Sequence, residues 1–159
     1  RAKDHGALKK YDHQFSGRNS RLDTIQSAVL NIKLKSYNKV ISLRNKLSKI
    51  YFKKLKKING IKVFETKKNN TYSFHQFVIK TKKRNKLRSY LLNKKIDTMI
   101  HYPYMLNELK FFPNAKLNNC KRLGDQILSL PISEEHTAKE IEYVSNKIID
   151  FFNKKKWQE

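Results

Sequence analysis

The sequence predicts an α/β sandwich, with helices covering one face of a small sheet and a long helix ahead of them. Apolar residues recur at three- and four-residue spacing from Leu22 to Ile58, the period of an amphipathic helix. Beyond Gly60 that period gives way to short β-branched and aromatic runs around a second helical stretch, the alternation of a layered domain. The chain then closes on a strongly periodic segment that opens with Thr137 and Glu140, the spacing of a capping box.

Residues 1–20 are polar, carry Gly6 and Gly17 among several turn formers, and read as a structured loop. Leu22, Ile25, Val29 and Ile32 begin the long stripe, which Val40, Leu43, Leu47, Ile50, Leu55 and Ile58 continue. Asn59-Gly60 suits the left-handed conformation that closes helices. A span of this length is also compatible with two helices meeting near Lys35-Ser36. Either way its apolar stripe has to lie against other parts of the protein. Ile61–Phe64 and Tyr72–Ile79 read as strands, Lys83–Lys95 as a helix facing inward through Leu87, Tyr90 and Leu91. Ile96–Tyr102 reads as a further strand stopped by Pro103, and Tyr104–Asn119 as an irregular segment interrupted by Pro113. Ile127–Leu130 forms a last short strand before Pro131, and Ile141, Val144, Ile148 and Phe151 line the final helix.

At 159 residues, 38% hydrophobic and 11% aromatic, the chain can bury a core and is unlike a disordered basic tail. No run approaches the roughly 20 apolar residues that span a bilayer. One cysteine, Cys120, excludes an internal disulfide and a cysteine-rich zinc site, and reads as a buried or half-buried thiol. The start at Arg1, without a leader, suggests a piece of a longer protein. The net charge of +23 invites a nucleic-acid partner, since phosphate neutralisation releases counterions. Yet the lysines occupy nearly every polar position, from Lys9-Lys10 to Lys154-Lys155-Lys156, with no reading motif among them. Solvated faces with a compositional drift toward Lys, Asn and Ile explain the charge more simply.

The five histidines, His5, His13, His75, His101 and His136, lack the helical pair spacing of zinc proteases. There is no Gly-rich phosphate loop and no Gly-x-Ser-x-Gly elbow. Gly17-Arg18-Asn19-Ser20-Arg21 leads into a helix. There an Asn amide, an Arg guanidinium and backbone N–H groups can hold a phosphate or carboxylate, or Asn19 or Ser20 can simply cap the helix. His101 and Tyr102 stand at a predicted strand end before a proline-broken loop, where binding residues project; a structural histidine satisfied by a neighbour fits equally.

Ordered landmarks carry a family resemblance. His5-Gly6, Lys10-Tyr11-Asp12-His13, Gly17-Arg18-Asn19-Ser20-Arg21-Leu22-Asp23 and Gln26-Ser27-Ala28 come first. Phe74-His75-Gln76-Phe77-Val78-Ile79, Ile100-His101-Tyr102-Pro103 and Leu128-Ser129-Leu130-Pro131 follow. Together they resemble the DegT–DnrJ–StrS sugar-nucleotide aminotransferases over nearly the whole chain. The resemblance implies the small C-terminal α/β domain of a fold-type-I pyridoxal-phosphate transferase. Residues 1–34 would end the large cofactor-binding domain and start the interdomain helix, and residues 35–159 would form the small domain.

It further implies a cytoplasmic enzyme that uses pyridoxal 5'-phosphate to move an amino group from an amino acid, glutamate, to a nucleotide-linked keto sugar. Such an enzyme serves deoxyamino-sugar and surface-polysaccharide synthesis as a homodimer with shared active sites, without a metal and away from membranes. The lysine that holds the cofactor would lie upstream of Arg1, so this chain alone would be inactive. By position, Asn19 would contact the cofactor phosphate across the dimer, and Arg21, His75, His101 and Tyr102 would face the substrate. The pattern breaks after Pro103: Met105 and Asn107 stand where the family carries a proline and a histidine, and Lys121 where an acid is common. A basic nucleic-acid-binding module and a non-catalytic relative remain the rival readings.

Overall fold

The computed structural model describes residues 5–9, 12–20, 22–67, 70–105, 108–109 and 118–153. The chain divides into two compact units, residues 1–39 and 40–159, and the division falls inside the long helix.

In the first unit the stretch read as a loop contains a small antiparallel hairpin, β1 (Ala7–Lys9) and β2 (Asp12–His13). Strands of two and three residues are too short to show an alternating pattern. The long helix, α1 (Thr24–Leu55), is one continuous helix of 32 residues rather than two. It contains neither glycine nor proline, the usual causes of a break. At Ser36 the hydroxyl donates to the Lys33 carbonyl, 3.1 Å away, within the helix. Its first turn is closed by the Ser27 N–H donating to the Asp23 carbonyl, so Asn19 and Ser20 lie ahead of that turn and do not cap it. The expectation that the apolar stripe is covered holds for only part of α1. Leu47, Tyr51 and Leu55 are buried, whereas Ile25, Ile32 and Leu34 are about two-thirds exposed or more. Among the described residues no element covers the first half.

The second unit is built on a three-stranded antiparallel sheet ordered β3 (Lys62–Val63), β4 (Phe77–Lys80), β5 (Ile127–Leu130). Its helices are α2 (Arg84–Leu92), α3 (Asn118–Gly124) and α4 (Ala138–Asn153). Pairing of Phe77 with Leu130 and of Ile79 with Leu128 sends these four side chains to one face, because side chains alternate across a strand. There they meet Leu47, Tyr51 and Leu55 of α1, Leu87 and Leu91 of α2, and Ile141, Ile148 and Phe151 of α4 in one core. The Tyr51 hydroxyl, buried at its centre, donates to the Pro131 carbonyl at 2.8 Å. Thr137 and Glu140 form the expected capping box: the Thr137 N–H donates to Glu140 Oε2 at 2.7 Å and the Glu140 N–H to Thr137 Oγ1 at 3.3 Å.

Three readings change. The strand expected from Tyr72 begins only at Phe77. Phe74 takes a left-handed φ of 44°, and the Asn45 side chain binds the Tyr72 carbonyl at 2.8 Å, so that stretch cannot extend. The strand expected over Ile96–Tyr102 shrinks to a single bridge between Met99 and Ser129, and Asp97 Oδ1 takes the Thr98 N–H at 2.9 Å, a local bond that competes with a ladder. Cys120 is exposed, on α3, a short helix that sequence periodicity did not reveal. Asn107 and most of the irregular segment around Pro113 lie outside the described residues.

Candidate functional site

In the first unit the hairpin organises the loop that carries Asn19. The His5 N–H donates to the Arg18 carbonyl at 3.0 Å and the Gln14 N–H to the Gly6 carbonyl at 3.1 Å. His13 Nδ1 donates to the His5 carbonyl at 3.1 Å. Gly6 has φ of +72°, and a Cβ placed on it would lie 1.9 Å from the Phe15 carbonyl oxygen. Only glycine permits that approach, which explains the His-Gly pair in the sequence. Asn19 is exposed, its amide free of the capping role. Arg21 lies outside the described residues.

In the second unit the sheet face turned away from the core carries Val78 and Ser129, which pair across β4 and β5. The bridge at Met99 pairs that residue's backbone with Ser129 beside β5, away from β4. His101 Nδ1 lies 2.9 Å from the Ser129 hydroxyl. This contact sets the ring's orientation and engages one nitrogen, leaving Nε2 as its other polar atom. The Tyr102 ring meets the His101 ring edge-on, with centroids 5.6 Å apart, and is 68% exposed. Met99 and Tyr104 are exposed beside them in sequence. The segment thus presents an imidazole and phenols that can hydrogen-bond a polyhydroxyl ligand. One ring nitrogen of His101 is satisfied by a neighbour while the segment stays accessible.

His75 lies in the bend just before β4. It is exposed and lines a cleft of about 470 Å³ walled by Phe52, Phe64, Tyr72, Phe74 and Phe77. Neither His101, Tyr102 nor Ser129 lines that cleft. Ser129 was missed as a site residue in the sequence; its signal was a polar side chain at the one outward position within Leu128–Leu130. No group of three or more His, Cys, Asp or Glu able to hold a metal occurs among the described residues, and none of their helices is long and apolar enough to cross a membrane.

The sequence model of the DegT/DnrJ/EryC1/StrS aminotransferase family matches residues 1–149. The chain belongs to this family. Among its curated relatives is the dTDP-3-amino-3,4,6-trideoxy-alpha-D-glucose transaminase of Streptomyces venezuelae, 33% identical over 82% of this chain and 36% of the relative. The UDP-2-acetamido-2-deoxy-3-oxo-D-glucuronate aminotransferase of Pseudomonas aeruginosa is also 33% identical, over 80% of this chain and 36% of the relative. The Pleiotropic regulatory protein of Geobacillus stearothermophilus is 31% identical over 93% and 42%. Of solved structures, S. venezuelae DesV in complex with a ketimine intermediate superposes with a TM-score of 0.89 at 29% identity, covering 96% of this chain and 43% of DesV. The DegT/DnrJ/EryC1/StrS family chain thus has the fold found in fold-type-I pyridoxal-phosphate aminotransferases, and spans about two-fifths of the length of the curated relatives it matches.

Proposed function

We propose that this chain is the C-terminal portion of a pyridoxal-phosphate-dependent sugar aminotransferase. The whole enzyme moves an amino group from an amino acid, glutamate, to a nucleotide-linked keto sugar in deoxyamino-sugar or polysaccharide synthesis. It works in the cytoplasm as a homodimer with shared sites. The observation that carries the reading is the family match over residues 1–149. The exposed apolar half of α1 supports it, since an uncovered apolar surface of this kind marks an interface with further protein.

The donor set of the early loop fits the cofactor's phosphate: an exposed Asn19 amide next to a backbone held by His5 and Gly6. In this reading Asn19, with Arg21, holds anionic groups, and His75, His101 and Tyr102 face the sugar nucleotide. Bound, the cofactor supplies an electron sink for amino-group transfer. This chain's residues bind and orient, and the reactive lysine belongs to the preceding part of the parent polypeptide. Residues 1–34 then end the large domain and residues 35–159 form the small one.

The test is amino transfer by the parent open reading frame, with glutamate and dTDP- or UDP-linked keto sugars. The Asn19→Ala form should release cofactor more readily on dialysis. An absorbance band of lysine-bound cofactor in the 159-residue chain alone, or amino transfer by it, would overturn the placement of the lysine.

A non-catalytic relative is the second reading, favoured by the loop after Pro103. There the Met105 N–H donates to Glu108 Oε2 at 3.0 Å, a bond that the family's proline at this position could not make. A parent that binds cofactor but transfers no amino group would establish it.

A further inference from the structure

The register of β3 on β4 sets Lys62 directly opposite Lys80. Directly paired residues project to the same face, with Cβ atoms about 4.5–5.5 Å apart, and like charges placed so are destabilising. Val63 of β3 is buried and Lys62 exposed, so the two ammonium groups lie on the side of the sheet away from the core. Lys82 and Lys83 join them around one cleft of about 800 Å³, and no Asp or Glu is among its lining residues. The ion pairs Arg44 with Glu134, Lys56 with Glu65 and Lys147 with Asp150 lie elsewhere. Among the described residues Lys62, Lys80 and Lys82 have no carboxylate partner.

The backbone beneath these lysines is held in place. Thr81 is buried; its N–H donates to the Gln126 carbonyl at 2.9 Å, and its hydroxyl accepts the Lys83 N–H at 3.2 Å. The same turn starts α2, which has no acidic residue in its first turn and no side-chain cap at Lys83. The partial positive charge of a helix start is therefore added to the lysines. A chain rich in lysine can scatter its charge over convex surface at little cost. Here four lysines, two of them in direct cross-strand opposition, converge on one concavity.

We propose that this cleft binds a compact oxyanion with two or more negative charges, a di- or polyphosphate. Such a ligand turns the Lys62–Lys80 repulsion into two attractions. A long nucleic acid calls for an extended basic track, whereas these groups surround a single hollow. The proposal is independent of the aminotransferase reading.

The probe is inorganic pyrophosphate added to the 159-residue chain, against sodium chloride at matched ionic strength. At about ten times its dissociation constant, pyrophosphate should raise the unfolding midpoint by about 3–5 °C and shift the amide resonances of Thr81, Lys82 and Lys83. The Lys62→Gln/Lys80→Gln double variant should lose the pyrophosphate effect, with an unliganded midpoint equal to or above that of the parent. Lys33→Gln/Lys35→Gln, on the first half of α1, should keep the effect. Equal shifts in the parent and in Lys62→Gln/Lys80→Gln would overturn the proposal, as would no shift beyond sodium chloride. Binding of a DNA duplex without any response to pyrophosphate would also overturn it.

Discussion

The Ser129 hydroxyl lies 2.9 Å from His101 Nδ1, and this contact joins the central strand pair to the segment that carries the candidate ligand-facing rings. The Met99–Ser129 bridge brings the backbones together, and the side-chain contact then sets the imidazole. Replacing Ser129 by Ala should leave the core intact, since the residue faces away from it. The expected cost is about 0.5–1.5 kcal/mol in urea unfolding, with a changed imidazole nitrogen signal for His101 showing that the ring has lost its partner. A variant whose His101 resonances are unmoved would show that the hydroxyl does not orient the ring.

Gly6 is the residue on which the early loop turns. Its positive φ and the approach of the Phe15 carbonyl leave no room for a side chain. Gly6→Ala should cost about 1–3 kcal/mol of local stability, read as faster hydrogen exchange of the His5 and Gln14 amides by about fivefold or more. The second unit should keep its exchange rates.

Tyr51 is a buried phenol in the core of the second unit, and burial pushes its ionisation well above the ordinary tyrosine range. In the unfolded chain it ionises near pH 10, as tyrosines do. Below that pH both states hold the proton and the contribution is constant; above it only the unfolded state releases the proton. Stability should therefore fall as pH rises past about 10, by about 1.4 kcal/mol per pH unit from this group. Tyr51→Phe should remove that dependence in denaturant titrations at alkaline pH. It should also cost about 1–2 kcal/mol at neutral pH, because the Pro131 carbonyl loses its donor.

The capping box makes α4 acid-sensitive. The Thr137 backbone N–H, then its hydroxyl, hold the Glu140 carboxyl below the usual carboxylate range. The contribution is present above the unfolded carboxylate value and is lost as pH falls through the lower folded value. Thr137→Ala removes the hydroxyl's share while leaving the N–H, so the acid-side decline in α4 helicity by circular dichroism should become shallower. The neutral-pH helix end should fray more readily.

Helix periodicity alone located α1, α2 and α4, with Leu87, Ile141 and Ile148 on their inner faces, because a 3.6-residue repeat is a local property. It also located the capping box, whose two partners lie three residues apart. The ordered landmarks from His5-Gly6 to Leu130-Pro131 were legible for the same reason: each is a short run that survives without knowledge of what it touches. Strand limits were less legible. The bonds that cut short the Tyr72 and Ile96 runs come from Asn45 and Asp97 side chains, and strand propensity does not record such competition.

What the amino-acid order determined by itself is the helices α1, α2 and α4, the approximate places of β3, β4 and β5, the inward residues of the second unit's helices and the family. Tertiary structure decided the rest. It alone placed Ser129 on His101 across 28 residues, Tyr51 on Pro131 across 80, and Lys62 opposite Lys80. It left Cys120 and the first half of α1 exposed. The physical reason is that strand register and packing are settled by contacts distant in sequence. A one-residue slip would turn every strand side chain to the other face, so which polar groups meet is a property of the assembled sheet.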